Sequence, residues 1–337
     1  MSNRFQFQMS RRDALGSGLA AAGLVLKHPV LAATSEPEHL PLLAKTIPTT
    51  GEKLPAVGLG TDKFRISKRD AIQAEIRRMQ QMGGTVIDTA AAYGDSEALI
   101  GEALAALGIR NRMFVATKLT ASGTGFLGSG GGGQHSFDRS LARLKTDHVD
   151  LLQVHNLDGV DTLMPLLQQW KKAGKIRYIG ITTSRVAQHG EMVELMRKHP
   201  LDFVQVDYSL ANRDAAMNVL PLAMERRVAV LANIPFGFGA VIREAQARKL
   251  PDWAADIDVT SWSQFLLKYV ISHPAVTCAI PGSTQVAHLE DNQRAARGRL
   301  PDEAMRRKME QFWDTGKVQS TTSTAPRRSI QRRDRDT

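Results

Sequence analysis

Asp88, Tyr93, Lys118 and His155 are the residues whose types and positions suggest shared chemistry. They stand at the ends of three successive apolar runs, in VIDTAAAYG, MFVATK and VDLLQVHN. Reducing a carbonyl requires a proton donor, and a tyrosine hydroxyl with its ordinary pKa of about 10 is a weak one at neutral pH. An ammonium beside it stabilises the phenolate and brings that pKa toward the working range, the part read here for Lys118. Asp88 keeps the lysine charged in a partly buried pocket, and His155 hydrogen-bonds the substrate carbonyl and orients it. Two rival readings stand beside this one. Lys118 serves as the Schiff-base nucleophile of a lyase, or the chain is a non-catalytic, nucleotide-binding redox sensor or scaffold.

Positioning four such groups on one face requires a regular frame. From Pro55 onward, short β-rich runs alternate with helical periodicity, the pattern of stacked βα units around a parallel sheet. The strands are expected at Ala56 to Gly60, Thr85 to Asp88, Met113 to Thr117, Val149 to Val154, Ile176 to Ile181, Phe203 to Val206, Ala229 to Asn233 and Thr277 to Ile280. Eight units close a barrel, whereas a doubly wound open sheet needs fewer, so the expected fold is a single (β/α)8 TIM barrel with its site at the strand C-termini. Helix starts are read at Ser67 with Asp70 in capping-box spacing, at Ser136 and at Asp214, with the last two helices at Ser261 to Ser272 and Gln285 to Ala296. The glycine-rich stretch Ala121 to Gln134 lacks the GxGxxG placement and any P-loop Lys-Ser/Thr pair, so it reads as a mobile loop flanking the substrate pocket. Cys278, the single cysteine, lies in an apolar strand and reads as a buried structural thiol; no metal site is expected.

The net charge of +10 is spread unevenly: residues 1–33 carry +3, residues 317–337 carry +4, and the body between them +3. That body charge is too small for a phosphate-binding surface, so no nucleic-acid partner is expected. Ser10-Arg11-Arg12-Asp13-Ala14-Leu15 resembles a twin-arginine export motif, and the weakly apolar stretch from Ala14 to Leu26 is too short for a comfortable membrane span. Val30-Leu31-Ala32 and Leu31-Ala32-Ala33 are alternative cleavage sites. The expected organisation is therefore a signal at 1–33, a barrel at 34–316 and a polar, basic, disordered tail at 317–337, in a periplasmic protein that engages the twin-arginine machinery, with a cytoplasmic location as the alternative.

From Ile47 to about Trp313 the chain resembles the aldo-keto reductase family. The resemblance rests on GEKLPAVGLGT, VIDTAAAYGDSEALIGEAL, ATKL, RSLARLKTDHVDLLQVHN, KAGKIRYIGIT, VQVDYS and IPGSTQVAHLEDN in this order. It implies NAD(P)H-dependent reduction of an aldehyde or ketone, with the nicotinamide cofactor extended across the barrel mouth. Tyr208 would then stack on the nicotinamide and Gln205 would bind its carboxamide together with Thr182 and Thr183, which replace the family's usual Ser-Asn pair. The loop from Phe236 to Val259 would cover the cofactor, with Pro235, Phe236 and Gly237 in contact with it. Ser283, Asp291 and Asn292 would meet the phosphate edge and the adenine. Gly282 and His288 stand where many members carry a Lys and an Arg for the 2′-phosphate, which weakens the charge preference for NADP(H). NADP(H) remains the favoured cofactor on the resemblance, with NAD(H) as the alternative.

Overall fold

The computed structural model describes residues 40–122 and 133–321, with residues 317–321 described by backbone only. The expected export signal and cleavage sites, most of the glycine-rich stretch and residues 322–337 lie outside the described residues.

Runs rich in Val, Ile, Leu and Phe must lose both faces to other protein, so they pair edge to edge and take helices over the outside. An antiparallel hairpin comes first, β1 (Ala44–Thr46) with β2 (Lys53–Pro55). Eight parallel strands follow: β3 (Leu59–Gly60), β4 (Val86–Asp88), β5 (Phe114–Leu119), β6 (Val149–Val154), β7 (Ile176–Thr182), β8 (Phe203–Asp207), β9 (Ala229–Asn233) and β10 (Val276–Ala279). Each pairs with its sequence neighbour, and the two ends meet through parallel bridges between Val57 and Ala279 and between Gly60 and Gly282. The sheet therefore closes as a (β/α)8 barrel.

The helices are α1 (Arg69–Gln81), α2 (Ser96–Leu107), α3 (Gln134–Leu144), α4 (Val160–Lys172), α5 (His189–Lys198), α6 (Ala215–Glu225), α7 (Ala240–Gln246), α8 (Trp262–Ser272), α9 (Val286–Arg294) and α10 (Glu303–Thr321). Outward side chains of the strands pack with these helices in one large apolar cluster. Inward side chains make a second, separate cluster that includes Val86, Phe114, Ala116, Leu151, Tyr178, Phe203, Leu231 and Cys278. Ile47 and Leu54 of the hairpin region belong to this inner cluster and plug the N-terminal end of the barrel.

Strand alternation then decides what stands above that plug. Two residues beyond Val86, Ala116, Leu151, Phe203 and Leu231 the same face carries Asp88, Lys118, Gln153, Gln205 and Asn233, so the inner wall turns largely polar at the C-terminal end. Gly180 pairs with Gln153, and a Cβ there would come within 3.0 Å of the Gln153 side chain and 3.1 Å of Phe203 O. Its missing side chain gives Gln153 its place in the layer.

Several local expectations are corrected. Ser67 lies inside a short 3-10 turn, Ile66–Lys68, and makes no cap; α1 begins at Arg69. Ser136 is a buried residue within α3, which starts at Gln134. Asp214 does stand at the start of α6, immediately before Ala215, though its side chain makes no cap. Ser261 does cap α8, accepting from Gln264 N at 3.2 Å. The span Phe236 to Val259 is not plain loop, since it holds α7 and a 3-10 segment, Asp252–Ile257. The hairpin and α10 were not anticipated, and α10 continues to Thr321, past the expected start of the polar tail at 317. Among the described residues no helix is long and apolar enough to cross a membrane.

Candidate active site

A cavity of about 730 Å³ opens at the C-terminal mouth of the barrel, and Asp88, Tyr93, Lys118 and His155 all line it. Asp88 ends β4 and Lys118 lies near the end of β5, adjacent strands of one parallel pair. Lys118 Nζ donates to Asp88 Oδ2 at 2.5 Å and to Thr89 O at 2.8 Å, while Gln153 Nε2 reaches Asp88 Oδ1 at 3.4 Å. Both members of this ion pair are buried.

Tyr93 stands on the turn between β4 and α2. Buried hydroxyls hold that turn: Ser96 Oγ donates to Thr61 Oγ1 at 2.7 Å, and Thr61 Oγ1 donates to Asp88 O at 2.9 Å. Lower down, Thr117 Oγ1 donates to Glu97 Oε1 at 2.6 Å, and Arg143 pairs with the other Glu97 oxygen at 2.5 Å. The result places Lys118 Nζ 4.8 Å from the centre of the Tyr93 ring, with the His155 ring edge-on to it at 5.7 Å.

Burial and the neighbouring charges together set the electrostatics of the four groups. Burial raises the Asp88 carboxyl, and the Lys118 charge and the hydrogen bonds from Lys118, Gln205 and Gln153 oppose that rise without cancelling it. Desolvation lowers Lys118, yet the charges and hydrogen bonds of Asp88 and Tyr93 outweigh it and the ammonium is held above its ordinary pKa. Burial and then the Lys118 charge push His155 down to about 3, so its ring is neutral at physiological pH. Tyr93 goes against the expectation of a lowered pKa. Loss of hydration raises it, and Asp88 and Asp62 add to the rise, while Lys118 opposes without winning.

Around these groups the wall includes Thr182, Gln205, Pro235, Phe236, Gly282, Ser283, His288 and Asn292. Four other residues expected at a cofactor do not line the cavity. Thr183 is buried behind it, its hydroxyl donating to Gln188 Oε1 at 2.6 Å. Tyr208 lies among the outer helices, stacked on Tyr269 at 5.9 Å and accepting from Arg306 Nη2 at 2.7 Å. Asp291 accepts from Ser261 Oγ at 2.8 Å and from Gln264 Nε2 at 2.7 Å, tying α9 to the start of α8. Gly237 begins a 3-10 turn with φ of 57° outside the wall. The wall holds residues that sequence reasoning missed, chiefly Asp62, Lys63, Asn156, Ser184, Asn233 and Phe238. Asn233 had a signal, since it closes a strand in phase with inward-facing Leu231.

Two wall atoms bear on what the cavity holds. Gln205 Oε1 and Asn233 Oδ1 are buried acceptors without a protein partner among the described residues. Such atoms match a ligand that brings N–H donors, as an amide does. At the rim Gly60 and Gly282 pair directly, and a Cβ on Gly60 would stand 2.8 Å from Ile280 O, so the glycine allows the first and last strands to close against each other here. Among the described residues no group of three or more His, Cys, Asp or Glu is placed to hold a metal ion.

This barrel, with this site at its mouth, has clear relatives. The model of the Aldo/keto reductase family matches residues 56–311. The chain belongs to the aldo/keto reductase family. A methylglyoxal reductase of Escherichia coli, YeaE, is 30% identical over 256 residues, covering 74% of this chain and 88% of the relative. An L-galactose dehydrogenase of Arabidopsis thaliana is 26% identical over 283 residues, covering 74% and 87%. Among solved structures, an aldo/keto reductase of Klebsiella pneumoniae in complex with NADP and acetate superimposes with a TM-score of 0.66 at 25% identity, covering 78% of this chain and 93% of that one.

Proposed function

We propose that the protein reduces an aldehyde or ketone to an alcohol with a nicotinamide cofactor, and that Tyr93 is the proton donor. The observation that carries this is the buried Asp88–Lys118 pair, 2.5 Å apart, with its ammonium set against Tyr93. Gln205 and Asn233 would take the carboxamide on their unpartnered oxygens, with Thr182 and Ser184 beside them and Ser283, His288 and Asn292 at the nucleotide's far end. The bound nicotinamide supplies the hydride. As negative charge develops on the substrate oxygen, Tyr93 transfers its hydroxyl proton there, and Lys118 stabilises the phenolate that remains. His155, neutral, hydrogen-bonds the carbonyl oxygen and orients it.

A raised Tyr93 pKa fits a donor that keeps its proton until the substrate demands it. An ammonium held charged by Asp88 is a poor nucleophile, which argues against the lyase reading of Lys118. NADP(H) is the favoured cofactor, by likeness to the Klebsiella protein. The test is consumption of NADPH or NADH with short aldehydes, methylglyoxal among them, by wild type and Tyr93→Phe. Turnover lost in the variant while nucleotide binding persists supports the assignment. Absence of turnover in wild type, with nucleotide still bound, favours a sensor or scaffold.

We also propose export by the twin-arginine route, with a signal at 1–33 and the barrel from 34, on the strength of Arg11-Arg12 before a weakly apolar stretch. Changing both arginines to lysine then leaves active enzyme in the cytoplasmic fraction. An unchanged distribution between the fractions rejects the route.

A further inference from the structure

Helix α1 carries one residue that neither the packing nor the chemistry above uses. Glu75 is fully buried at 0% exposure on the face that also buries Ile72, Ile76 and Met79, and neither carboxylate oxygen has a hydrogen-bond partner among the described residues. A buried, unpartnered carboxylate is costly when ionised and is removed by selection or by a proton unless something offsets it.

Its surroundings place it behind one part of the cavity wall. The Ser283 hydroxyl, which lines the cavity, is near enough to draw the carboxylate's pKa down somewhat, yet it donates to Gln285 O at 3.1 Å. Lys68, whose charge also draws the carboxylate's pKa down, is exposed and donates to Thr284 Oγ1 at 3.1 Å. The helices packed on α1 bring other charges already engaged elsewhere: Glu290 of α9 pairs with Arg78 at 2.6 Å and Arg294 at 3.8 Å, and Glu102 of α2 pairs with Arg69 at 2.5 Å. His288 of α9 is exposed on the cavity side.

We propose that Glu75 makes the choice between NADP(H) and NAD(H) depend on a proton: ionised, it disfavours a 2′-phosphate held at the Ser283–Thr284 loop, and protonated it does not. The inference rests on reading the cavity as a nicotinamide nucleotide site with its adenosine end at this loop. Burial, opposed by Ser283 and Lys68, raises the carboxyl to about 7, so its ionisation falls in the physiological range. Like charges in a protein of intermediate dielectric repel by enough to weaken binding roughly tenfold even when well separated. An exposed lysine is screened by water and salt and does not cancel a buried charge.

The experiment measures dissociation constants of NADP+ and NAD+ for the full chain from about pH 6 to about pH 8.5, in wild type and in Glu75→Gln. Calorimetry in two buffers of different ionisation enthalpy counts protons at the same time. In wild type, NADP+ is expected to weaken roughly tenfold across this range relative to NAD+ and to bind with proton uptake near neutrality. In Glu75→Gln the weakening of NADP+ relative to NAD+ above about pH 7 is expected to vanish, because the amide has no charge to lose; what remains below that pH belongs to the second ionisation of the 2′-phosphate itself, at about 6. Parallel pH profiles for the two nucleotides between about pH 7 and about pH 8.5 in wild type, or a weakening of NADP+ relative to NAD+ in that range that survives in the variant, overturn the proposal and leave the cofactor reading intact. If wild type binds neither nucleotide at any pH, both fall. Should Glu75→Gln fail to fold, the wild-type proton count alone decides, since absence of uptake specific to NADP+ overturns the inference.

Discussion

Replacing Asp88 by Asn should separate what the ion pair does for stability from what it does for catalysis. Lys118 would keep its place but lose the carboxylate 2.5 Å from its ammonium, with Thr89 O the remaining hydrogen-bond acceptor. Removing one partner of a buried pair costs about 3–5 kcal/mol, because it leaves the other charge unpaired. In a barrel of this size that corresponds to a fall in melting temperature of roughly 6–15 °C. The pH dependence carries a sign of its own. In wild type the folded Lys118 pKa lies above the unfolded one, so its stabilisation is fully present below about 10.4 and is lost as pH rises through the folded value. In Asp88→Asn, desolvation is no longer opposed by Asp88 and the folded pKa drops below the unfolded one. The unfolded chain then binds more protons between the two values, and stability rises with pH up to about 10.4. Urea unfolding at about pH 7 and about pH 9 should therefore show the variant gaining stability while wild type does not. Asp88→Asn with Lys118→Met, which removes both charges, should recover most of the lost stability and none of the activity. A double variant no more stable than Asp88→Asn alone would refute the coupling, and with it the claim that Asp88 acts through Lys118.

Tyr93→Phe deletes a hydroxyl at a half-buried ring and should reduce turnover by at least about a hundredfold, the usual scale for losing a general acid, with nucleotide affinity changed only a few-fold; steady-state rates and fluorescence titration check both. His155, lowered to about 3, should contribute no limb to the pH–rate profile between about pH 5 and 8; a limb in that range that disappears in His155→Gln would contradict its neutrality. Its unfolded form binds more protons below about 6.5, so wild type should lose stability on acidification through that group, and His155→Gln should lose less, as acid titration of unfolding would show. Gly282→Lys has room, since a Cβ would meet Asp62 Oδ1 at an ordinary 3.5 Å. Combined with His288→Arg it should tighten NADPH at least about tenfold and leave NADH nearly unchanged, because each charge-assisted contact contributes about 1.5–3 kcal/mol. Equal tightening of both cofactors would show that neither position faces the 2′-phosphate.

Much of the frame was legible because barrel strands are buried on both faces and read as unbroken apolar runs. β6 and β9 fall on the expected residues, and the other barrel strands differ from expectation mainly at their ends, where pairing and not hydrophobicity sets the limit. Helix starts were less legible. Ser67 and Ser136 have the composition of caps, but the chain enters α1 through a 3-10 turn and α3 two residues before Ser136, so tertiary packing overrode the local signal. The hairpin and α10 offered little to read: its strands are short and half-exposed, and the helix is largely polar. The raised pKa of Tyr93 was not legible either, since burial by residues distant in sequence produces it.

The cofactor residues that were misplaced share a simpler cause, and strand parity exposes it. Successive side chains on a strand face opposite ways. Gln205 points into the barrel, in register with Thr182 of the neighbouring strand. Thr183 and Tyr208 each stand just past the end of a strand, at odd spacing from Thr182 and Gln205, so under continued alternation each should turn away from the wall that those two share. Both do: Thr183 meets Gln188 and Tyr208 meets Tyr269 and Arg306. The helical case is parallel. His288 and Asn292, four apart, share the cavity face of α9, while Asp291 is rotated toward α8. Glu75 obeys the same geometry from the other direction. Three residues after Ile72 and four before Met79, it lies on the buried stripe of α1, where an acidic side chain breaks the apolar pattern. A charge in that phase is the kind of local inconsistency that proteins keep at functional positions, and the periodicity alone would have singled it out.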